Sequence, residues 1–163
     1  MSNVLGICKV VNNFLPPGYC KEIINSLPQS DVVVSNGYTT LPAGNWYKNN
    51  ITDQRCVLDL DDTILEKVLT LLPAELDYVA DRMYVTKYNV GQSCRVHNDP
   101  TDITVIILLN DEFEGGELVV GKRKLRLRQG DAVVFSDRLL HSVFEITKGE
   151  RYALSVWLNV QNK

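Results

Sequence analysis

The 163-residue chain has no long hydrophobic run and little net charge. No segment reaches the roughly 18 uninterrupted apolar residues that a membrane-spanning helix needs. Residues 1–14, MSNVLGICKVVNNF, lack the basic segment, apolar run and small-residue cleavage site of a secretory signal. The net charge of −3 at pH 7 gives no overall attraction to nucleic acid or to anionic membranes. These absences predict a cytoplasmic protein without a membrane partner.

Paired cysteine motifs are also absent. The four cysteines, Cys8, Cys20, Cys56 and Cys94, form no Cys-x-x-Cys pair, so the sequence suggests neither a zinc knuckle nor a redox dithiol. We therefore expect four reduced thiols, most of them buried, as is usual in the cytosol.

Length and composition indicate one globular domain covering residues 1–163. Apolar residues make up 45% of the chain and charged residues 23%, which is ordinary for a globular protein. Residues 1–80 are predicted to contain helices, short strands at Val10–Val11 and Val32–Val34, and a loop. Residues 81–159 are denser in strand signals and are predicted to form the core of the domain.

Prolines and acidic residues mark the ends of two predicted helices in the first half. Pro16-Pro17-Gly18 begins the first helix, and Pro28 ends it. Asp61-Asp62-Thr63 supplies an N-cap and negative charge for the second helix, which Pro73 ends. Between them, Asn36–Asp53 is rich in Gly, Asn, Thr and aromatic residues. This segment is predicted to be a long loop of the kind that often serves as a binding loop or lid.

Eight short segments in the second half are rich in β-branched and aromatic residues, which favours β-strands. Glycine-containing turns separate several of them. The pattern predicts a mainly β fold with flanking helices: a double-stranded β-helix, or jelly roll, supported by the N-terminal helices. The predicted strands are Arg82–Asn89, Ser93–His97, Ile103–Leu109, Glu117–Val120, Lys124–Arg128, Ala132–Ser136, Ser142–Ile146 and Tyr152–Leu158.

Histidine is scarce, and both histidines fall in contexts that fit one metal site. His97 and Asp99 are two residues apart, so an extended backbone points both side chains to one face. His141 follows a predicted strand, and a sheet that folds back would bring it to the same point. Two histidines and one carboxylate form the facial triad of non-haem Fe(II) oxygenases, which keeps coordination positions open. A closed structural zinc site lacks such positions; a chance His-x-Asp triplet at the surface is the simpler alternative.

Arg151 begins the last apolar strand, ten residues after His141. A guanidinium directed into the interior of a barrel requires an anion, and its planar fork fits a carboxylate. The alternative is a strand-end arginine that faces water. The spacing from His141 favours the carboxylate site.

Seven short motifs occur in order along the second half: Tyr88-Asn89-Val90-Gly91-Gln92, His97-x-Asp99, Leu109-Asn110-Asp111, Glu114-Gly115-Gly116-Glu117-Leu118, Gly130-Asp131-Ala132-Val133-Val134-Phe135, His141-Ser142-Val143 and Lys148-Gly149-Glu150-Arg151-Tyr152. The ordered set resembles the 2-oxoglutarate/Fe(II)-dependent dioxygenase superfamily, in its prolyl 4-hydroxylase-like branch. The resemblance covers about half of the chain, roughly residues 82–158.

The resemblance implies a role for each site residue. His97, Asp99 and His141 would bind Fe(II), and Arg151 would bind the distal carboxylate of 2-oxoglutarate. Tyr88 would hydrogen-bond the co-substrate or the substrate. The implied reaction consumes O2 as a second co-substrate, forms succinate and CO2, and hydroxylates a C–H bond; ascorbate dependence is expected on the same ground.

Two positions depart from the family pattern or are ambiguous in it. Some relatives hold the distal carboxylate with a second tyrosine, where this chain has Leu108. Thr104, on the same predicted strand, is a candidate replacement for that tyrosine. Trp157 matches an aromatic position near the pocket, although a core aromatic is an equally good interpretation.

Three functions are compatible with these residues. The first is a hydroxylase of prolyl residues in a protein or peptide; the second is a hydroxylase of a free amino acid or another small-molecule metabolite. The third is a binding module that keeps the fold without turnover, which the complete triad disfavours. Tyr38, Trp46 and Tyr47 in the predicted loop would cover the substrate, or else the loop is merely exposed.

Nucleic acid is not an expected partner. The basic run Lys122–Arg128 is better explained as a charged edge strand than as a phosphate-binding stripe. The related nucleic-acid demethylases usually carry a second arginine six residues after the first, where this chain has Trp157.

Overall fold

The computed structural model describes residues 6–29, 33–34, 43–44, 46–49 and 53–161. Two helices are α1 (Pro17–Ser26) and α2 (Asp62–Leu69). The strands are β1 (Cys8–Val11), β2 (Val33–Val34), β3 (Trp46–Asn49), β4 (Asp53–Leu58), β5 (Asp77–Tyr88), β6 (Cys94–His97), β7 (Ile103–Leu108), β8 (Glu114–Gly115), β9 (Leu118–Val120), β10 (Arg123–Leu125), β11 (Ala132–Ser136), β12 (His141–Val143), β13 (Ile146–Lys148) and β14 (Arg151–Gln161).

The strands form two main sheets that face each other. The larger sheet has the order β1-β11-β7-β14-β5-β4-β3-β2, and the smaller has the order β10-β9-β12-β6. From β5 to β14 the chain passes repeatedly between them: β5, β7, β11 and β14 lie in the larger sheet, and β6, β9, β10 and β12 in the smaller. This alternation is the jelly roll that the sequence predicts, so that prediction is confirmed. The short strands β8 and β13 pair separately.

Two hydrophobic clusters hold the layers together. Strand side chains alternate between the two faces of a sheet, so Leu154 and Val156 of β14 pack with helix residues such as Ile23 and Val68 in the first cluster. Ala153, on the other face, belongs to the second cluster. That second cluster lies between the sheets and contains residues from both, among them Tyr88, Ile106, Phe135, Leu118, Val120 and Val143.

Both predicted helices are present, with the expected ends. The Asp61 side chain accepts a hydrogen bond of 2.9 Å from the backbone N–H of Ile64 and so caps α2. Pro17 occupies the first turn of α1, where a missing N–H costs nothing. Each helix buries two residues of its apolar face, Cys20 and Ile23 in α1 and Ile64 and Val68 in α2.

The predicted long loop is wrong in part. Trp46–Asn49 is strand β3, which pairs with β4. The sequence did not indicate β4, because Asp53–Leu58 mixes polar and apolar residues without clear alternation. β4 nevertheless pairs with β5 and places Cys56 opposite Val85. One polar residue of this strand, Arg55, lines a cavity between the two sheets.

Several strand boundaries also differ from prediction. β5 begins at Asp77 and β14 continues to Gln161, so these two strands pair beyond the core. The basic run contributes only Arg123–Leu125 to β10, which is the predicted edge strand of the smaller sheet. All four cysteines are free thiols, and Cys20 and Cys56 are fully buried. Neither described helix has the length and apolar content to cross a bilayer.

Candidate active site

The smaller sheet brings the two histidines together. His97 is the last residue of β6 and His141 the first of β12, and the two are directly opposite each other in the antiparallel pair. Asp99 follows β6 by two residues and is only 8% exposed. One ligand atom from each of the three lies within 4.8 Å of the others. In the described part of the chain, these three residues form the one such group of metal-ligating side chains.

The Nε2 atoms of both imidazole rings face the Asp99 carboxylate. His97 Nε2 lies 3.5 Å from Asp99 Oδ1, and His141 Nε2 lies 3.5 Å from Asp99 Oδ2. On the far side of the His97 ring, Nδ1 lies 2.7 Å from the Arg95 carbonyl oxygen. A hydrogen bond donated from Nδ1 selects the tautomer in which Nε2 can bind a metal. The donor set of two imidazoles and one carboxylate therefore fits a divalent transition metal.

Thr104 contacts the triad. Its hydroxyl donates a 2.6 Å hydrogen bond to Asp99 Oδ2, and both residues are buried. The sequence predicts a different role, in which Thr104 holds the distal carboxylate of 2-oxoglutarate, and that role stays a prediction. The sequence indicates correctly which strand carries Thr104 but not which group it contacts.

Proximity and burial raise the pKa of one of the three ligands and lower the pKa of the other two. The hydrogen bonds of His97 to Asp99 and to Cys94 raise the pKa of His97 to about 10. Burial opposes ionisation of Asp99, but its hydrogen bond with His97 and the charge of His141 lower the pKa of the carboxyl overall. Burial lowers the pKa of His141 to about 4. In the metal-free protein, His97 thus holds a proton beside the carboxylate, at the position that a metal cation would take.

The positively charged side chain of Arg151 is almost completely buried. It is 2% exposed, and within the described residues neither a carboxylate nor any other hydrogen-bond acceptor pairs with its Nε. Burial lowers the pKa of its guanidinium. Its Cζ lies 5.5 Å from the centre of the Tyr88 ring, directly across the β5–β14 pair. A buried guanidinium whose Nε lacks an acceptor is costly, so this site is suited to an anionic ligand.

Gly116 makes room for Arg151. Its φ of +66° is left-handed, and a Cβ there would lie 3.1 Å from Arg151 Cδ and would collide with the Ile146 side chain. Leu108, which is 2% exposed, lies with Arg151 along a second cavity of about 230 Å³. Leu108 therefore lines the same cavity as Arg151, but it lacks the hydroxyl group that a tyrosine would provide there.

One cavity contains both the triad and Arg151. Its walls come from four strands of the larger sheet and from β6 and β12 of the smaller. The lining residues are Arg55, Tyr84, Thr86, Tyr88, Cys94, His97, Asp99, Ile106, His141, Val143, Arg151, Ala153 and Ser155. The predicted residues His97, Asp99, His141, Arg151 and Tyr88 are thus brought together.

Trp157 lies next to the cavity rather than in its wall. It follows Arg151, Ala153 and Ser155 on the same face of β14 and is 7% exposed. Its ring packs edge-on against Tyr84, with ring centres 5.2 Å apart and an angle of 86°. Its position supports the second interpretation of the sequence, a core aromatic.

The loop aromatics do not form an exposed cover. Trp46 and Tyr47 are 6% and 7% exposed, and the Trp46 indole donates a 2.8 Å hydrogen bond to the Pro28 carbonyl. Trp46 belongs to the core cluster around the helices, which corrects its predicted contact with substrate. Tyr38 lies outside the described residues.

Sequence reasoning missed eight of the described lining residues, among them Arg55, Tyr84, Thr86 and Ser155. The alternation of β5 carries a usable signal, because Tyr84 and Thr86 precede Tyr88 at two-residue intervals. The same spacing from Arg151 points to Ser155. Arg55 has no such signal, since its strand was not predicted.

Comparison with known proteins finds similarity to one family in the segment that carries the site. A model of the 2OG-Fe(II) oxygenase superfamily matches residues 83–159. A PKHD-type hydroxylase of Maricaulis maris (strain MCS10) is 30% identical over 117 residues, which are 60% of this chain and 53% of the relative. The chain spans about half, or less, of the length of the first curated relatives that it matches.

Two solved structures share the fold. A viral collagen prolyl hydroxylase from Paramecium Bursaria Chlorella virus-1, in a 2OG complex, superposes with a TM-score of 0.71 at 19% identity and covers 96% of both chains. A prolyl-4-hydroxylase from Pseudomonas putida gives a TM-score of 0.65 at 16% identity and covers 97% of this chain and 95% of its own. The matched segment carries the triad and Arg151. Residues 83–159, which contain all of these groups, are thus similar in sequence to the 2OG-Fe(II) oxygenase superfamily.

Proposed function

We propose that this protein is an Fe(II)- and 2-oxoglutarate-dependent hydroxylase that acts on prolyl residues in a protein or peptide. The observation that carries the proposal is one cavity containing a His–Asp–His triad and a sealed arginine. A structural metal site needs the triad, but it does not need the buried guanidinium of Arg151 in the same cavity. A dioxygenase of this family needs both.

The triad would hold Fe(II), with His97, Asp99 and His141 as ligands. When bound, Fe(II) with O2 and 2-oxoglutarate supplies the oxidising chemistry that converts the co-substrate to succinate and CO2 and hydroxylates a C–H bond. Three protein ligands leave coordination positions for the co-substrate and O2. The Thr104 hydroxyl fixes the Asp99 carboxylate, and the Arg95 carbonyl fixes the His97 ring.

Arg151 would bind the distal carboxylate of 2-oxoglutarate. Its planar fork can donate two parallel hydrogen bonds, and burial keeps competing water away. Tyr88, which faces it across the β5–β14 pair, would add a hydroxyl or a ring contact to the same ligand. Ile106, Val143 and Ala153 add apolar surface to the wall, which restricts water near the reacting groups.

The prolyl substrate is supported by the names of similar proteins, including a collagen prolyl hydroxylase and a prolyl-4-hydroxylase. A free amino acid or another small metabolite is the alternative within the same chemistry. A binding module without turnover is the alternative outside it. The complete triad and the sealed Arg151 favour an enzyme over the module.

The test is succinate formation from 2-oxoglutarate by protein purified without oxygen and loaded with Fe(II). We expect succinate only after air is admitted, and none from His141→Ala. Arg128→Gln, which changes an exposed arginine, is the matched control and should retain the activity. A panel of proline-containing peptides, free L-proline and other metabolites would then be screened for the gain of one oxygen atom.

The results of this test distinguish the prolyl hydroxylase, the small-molecule hydroxylase and the binding module. Oxygenation of a peptide supports the prolyl proposal, whereas oxygenation of a metabolite alone favours the small-molecule hydroxylase. Absence of succinate, together with absence of metal and 2-oxoglutarate binding, would leave the binding module.

A further inference from the structure

We propose that the second cavity, next to Arg151, binds a small monocarboxylate and that this ligand weakens the binding of 2-oxoglutarate. The cavity has a volume of about 230 Å³. Among the described residues that line it, only Arg151 also lines the cavity of the triad. The inference goes beyond the proposed function, because it concerns another ligand at a separate site. Only the coupling between the two ligands rests on that function.

The side chain of Arg151 separates the two cavities. It is 2% exposed and lines both of them. On one side, its Cδ passes the backbone of Gly116, where a Cβ would lie 3.1 Å away, and Gly116 lines the second cavity. On the other side, the ring of Tyr88 lies 5.5 Å from its Cζ and lines the triad cavity. A ligand in either cavity therefore contacts the same guanidinium group.

The guanidinium of Arg151 has enough donors for two ligands. It carries five N–H groups, and a bidentate carboxylate accepts hydrogen bonds from two of them. Its Nε has no acceptor among the described residues. Nε is bonded to Cδ, the atom beside Gly116, and so lies close to the second cavity. Because a buried donor without an acceptor is unfavourable, a ligand oxygen that accepts this hydrogen bond would be bound tightly.

The wall of the second cavity favours an apolar ligand body. Leu108, Leu118 and Leu125 are buried there, and Phe113 and Leu127 are half-buried. The volume equals that of about seven water molecules, at the roughly 30 Å³ that each occupies in the liquid. Leucine side chains offer these waters no hydrogen bonds, and displacement of poorly held water by an apolar group strengthens binding.

The two ends of the cavity differ in charge. At its mouth, Asp111, Glu117 and Arg126 carry charges of both signs, so the mouth favours neither anions nor cations. Among the buried residues described in the lining, Arg151 is the one charged side chain. The buried end therefore selects an anion. A dicarboxylate would place its second charge among leucines or beside the carboxylates of the mouth, whereas a monocarboxylate with a short alkyl chain fits both ends.

Nuclear magnetic resonance on the Zn(II)- and 2-oxoglutarate-loaded protein tests the site directly. The probe is pentanoate, and pentanamide is its uncharged match. Zn(II) is diamagnetic, so methyl signals close to the metal stay visible. We expect pentanoate to shift the methyl signals of Leu118 and Leu125, and not those of Ile106 and Val143, which line the triad cavity. Pentanoate should bind at least about tenfold more tightly than pentanamide, as for other charge-assisted hydrogen bonds.

Variants assign the preference for the acid to Arg151. Arg151→Gln should bind pentanoate and pentanamide equally well. Arg126→Gln, at the exposed mouth, should keep the preference within about twofold, because exposed charges contribute little. Leu127→Trp should weaken both probes about tenfold or more by occupying their volume. Leu60→Trp, at an exposed position outside the cavity, is its matched control, and circular dichroism checks that each variant is folded.

The coupling to 2-oxoglutarate has its own signature. Two carboxylates on one guanidinium repel each other, so the Kd for 2-oxoglutarate should rise about fivefold as pentanoate is added and then level off. The Kd for pentanoate should rise by the same factor at saturating 2-oxoglutarate, because coupling is reciprocal. Competition for one shared site would instead raise each Kd without limit.

Several results would overturn the proposal. Shifts at Ile106 and Val143, or competition without limit, would place pentanoate in the triad cavity. Equal binding of acid and amide, no binding of either, or a preference that survives in Arg151→Gln would remove the carboxylate site. An unchanged Kd for 2-oxoglutarate would remove the coupling.

The outcomes are separate from those of the proposed function. Succinate formation does not require the second cavity to bind pentanoate, so failure of this inference leaves that assay unaffected. Conversely, pentanoate bound beside Leu118 and Leu125 of the Zn(II)-loaded protein, without any succinate formation in the Fe(II) assay, would support the second site and refute the hydroxylase.

Discussion

Two regions of the chain build one cavity in different ways. Residues 83–159 provide the whole metal triad, Arg151 and most of the apolar wall, all from strands of the jelly roll. Among its described residues, the N-terminal half provides one lining residue, Arg55, together with the helices that cover the outer face of the larger sheet. The segment matched by the family model thus contains the groups that we assign to metal and co-substrate, whereas the N-terminal half contributes a wall position and the supporting helices. The predictions below test this division, beginning with the largest expected effect.

Loss of a triad ligand should abolish metal binding by the core. His141→Ala leaves two ligands, and Asp99→Ala leaves two imidazoles without the carboxylate that both face. We expect the Fe(II) or Mn(II) affinity to fall by about a thousandfold or more, measured by equilibrium dialysis with metal analysis. Retention of metal within about tenfold in either variant would mean that the ion binds elsewhere.

Loss of Arg151 should weaken the co-substrate and spare the metal. Arg151→Gln removes the charge that would pair with the distal carboxylate, so we expect the Kd for 2-oxoglutarate to rise about a hundredfold. The metal affinity should stay within about threefold. Because Arg151 is buried and its Nε has no acceptor among the described residues, the ligand-free variant should be at least as stable as the parent in thermal melts. A strongly destabilised variant would show instead that Arg151 serves the fold.

The Thr104 hydroxyl should increase the affinity of the triad for its metal. Thr104→Val keeps the shape of the side chain and removes the 2.6 Å hydrogen bond to Asp99. Groups that orient metal ligands typically contribute about tenfold to a hundredfold in affinity. Metal affinity should fall by this amount while 2-oxoglutarate binding at saturating metal changes little. Thr104→Ser, which retains the hydroxyl, should stay close to the parent; an equal loss in both variants would implicate packing.

Truncation in a supporting helix should lower stability without changing the site. Val68 is fully buried in the cluster beneath the larger sheet. Val68→Ala removes two buried carbon groups and leaves a small cavity, so the free energy of unfolding should fall by about 2 kcal/mol. Denaturant titration measures this change, and Leu69→Ala, at an exposed position of the same helix, is the control. A large change in metal affinity in Val68→Ala would contradict the division between support and site.

Metal affinity should also depend on pH through His97. The pKa of His97 in the metal-free protein is raised to about 10, chiefly by its hydrogen bond to Asp99, so a proton must leave the ring when the metal binds. His141, with a pKa of about 4, has no proton to lose near neutral pH. The apparent affinity should therefore rise about tenfold per pH unit between roughly pH 6 and 9. Calorimetry in buffers of different ionisation enthalpy would count the proton, and release of none would contradict the assignment.

The difference between the halves also explains what the sequence could predict. In residues 81–159, β-branched runs between glycine turns locate the eight jelly-roll strands, and the alternation of side chains brings His97 and Asp99 to one face. The partner of Thr104 could not be predicted, because alternation assigns a side chain to a face and not to a contact. Arg55 could not be predicted either, since Asp53–Leu58 lacks a clear strand pattern and is held by its pairing with β5. Trp46 resembled a loop residue locally, but its burial depends on distant helices.

The most direct test of the central claim is oxygen-dependent succinate formation by the Fe(II)-loaded protein with 2-oxoglutarate, measured beside His141→Ala and Arg151→Gln. We predict succinate from the parent only when O2 is present, none from His141→Ala, and recovery of activity in Arg151→Gln only at much higher 2-oxoglutarate concentration. Equal succinate from the parent and His141→Ala would contradict the account, because the chemistry would then not depend on the triad.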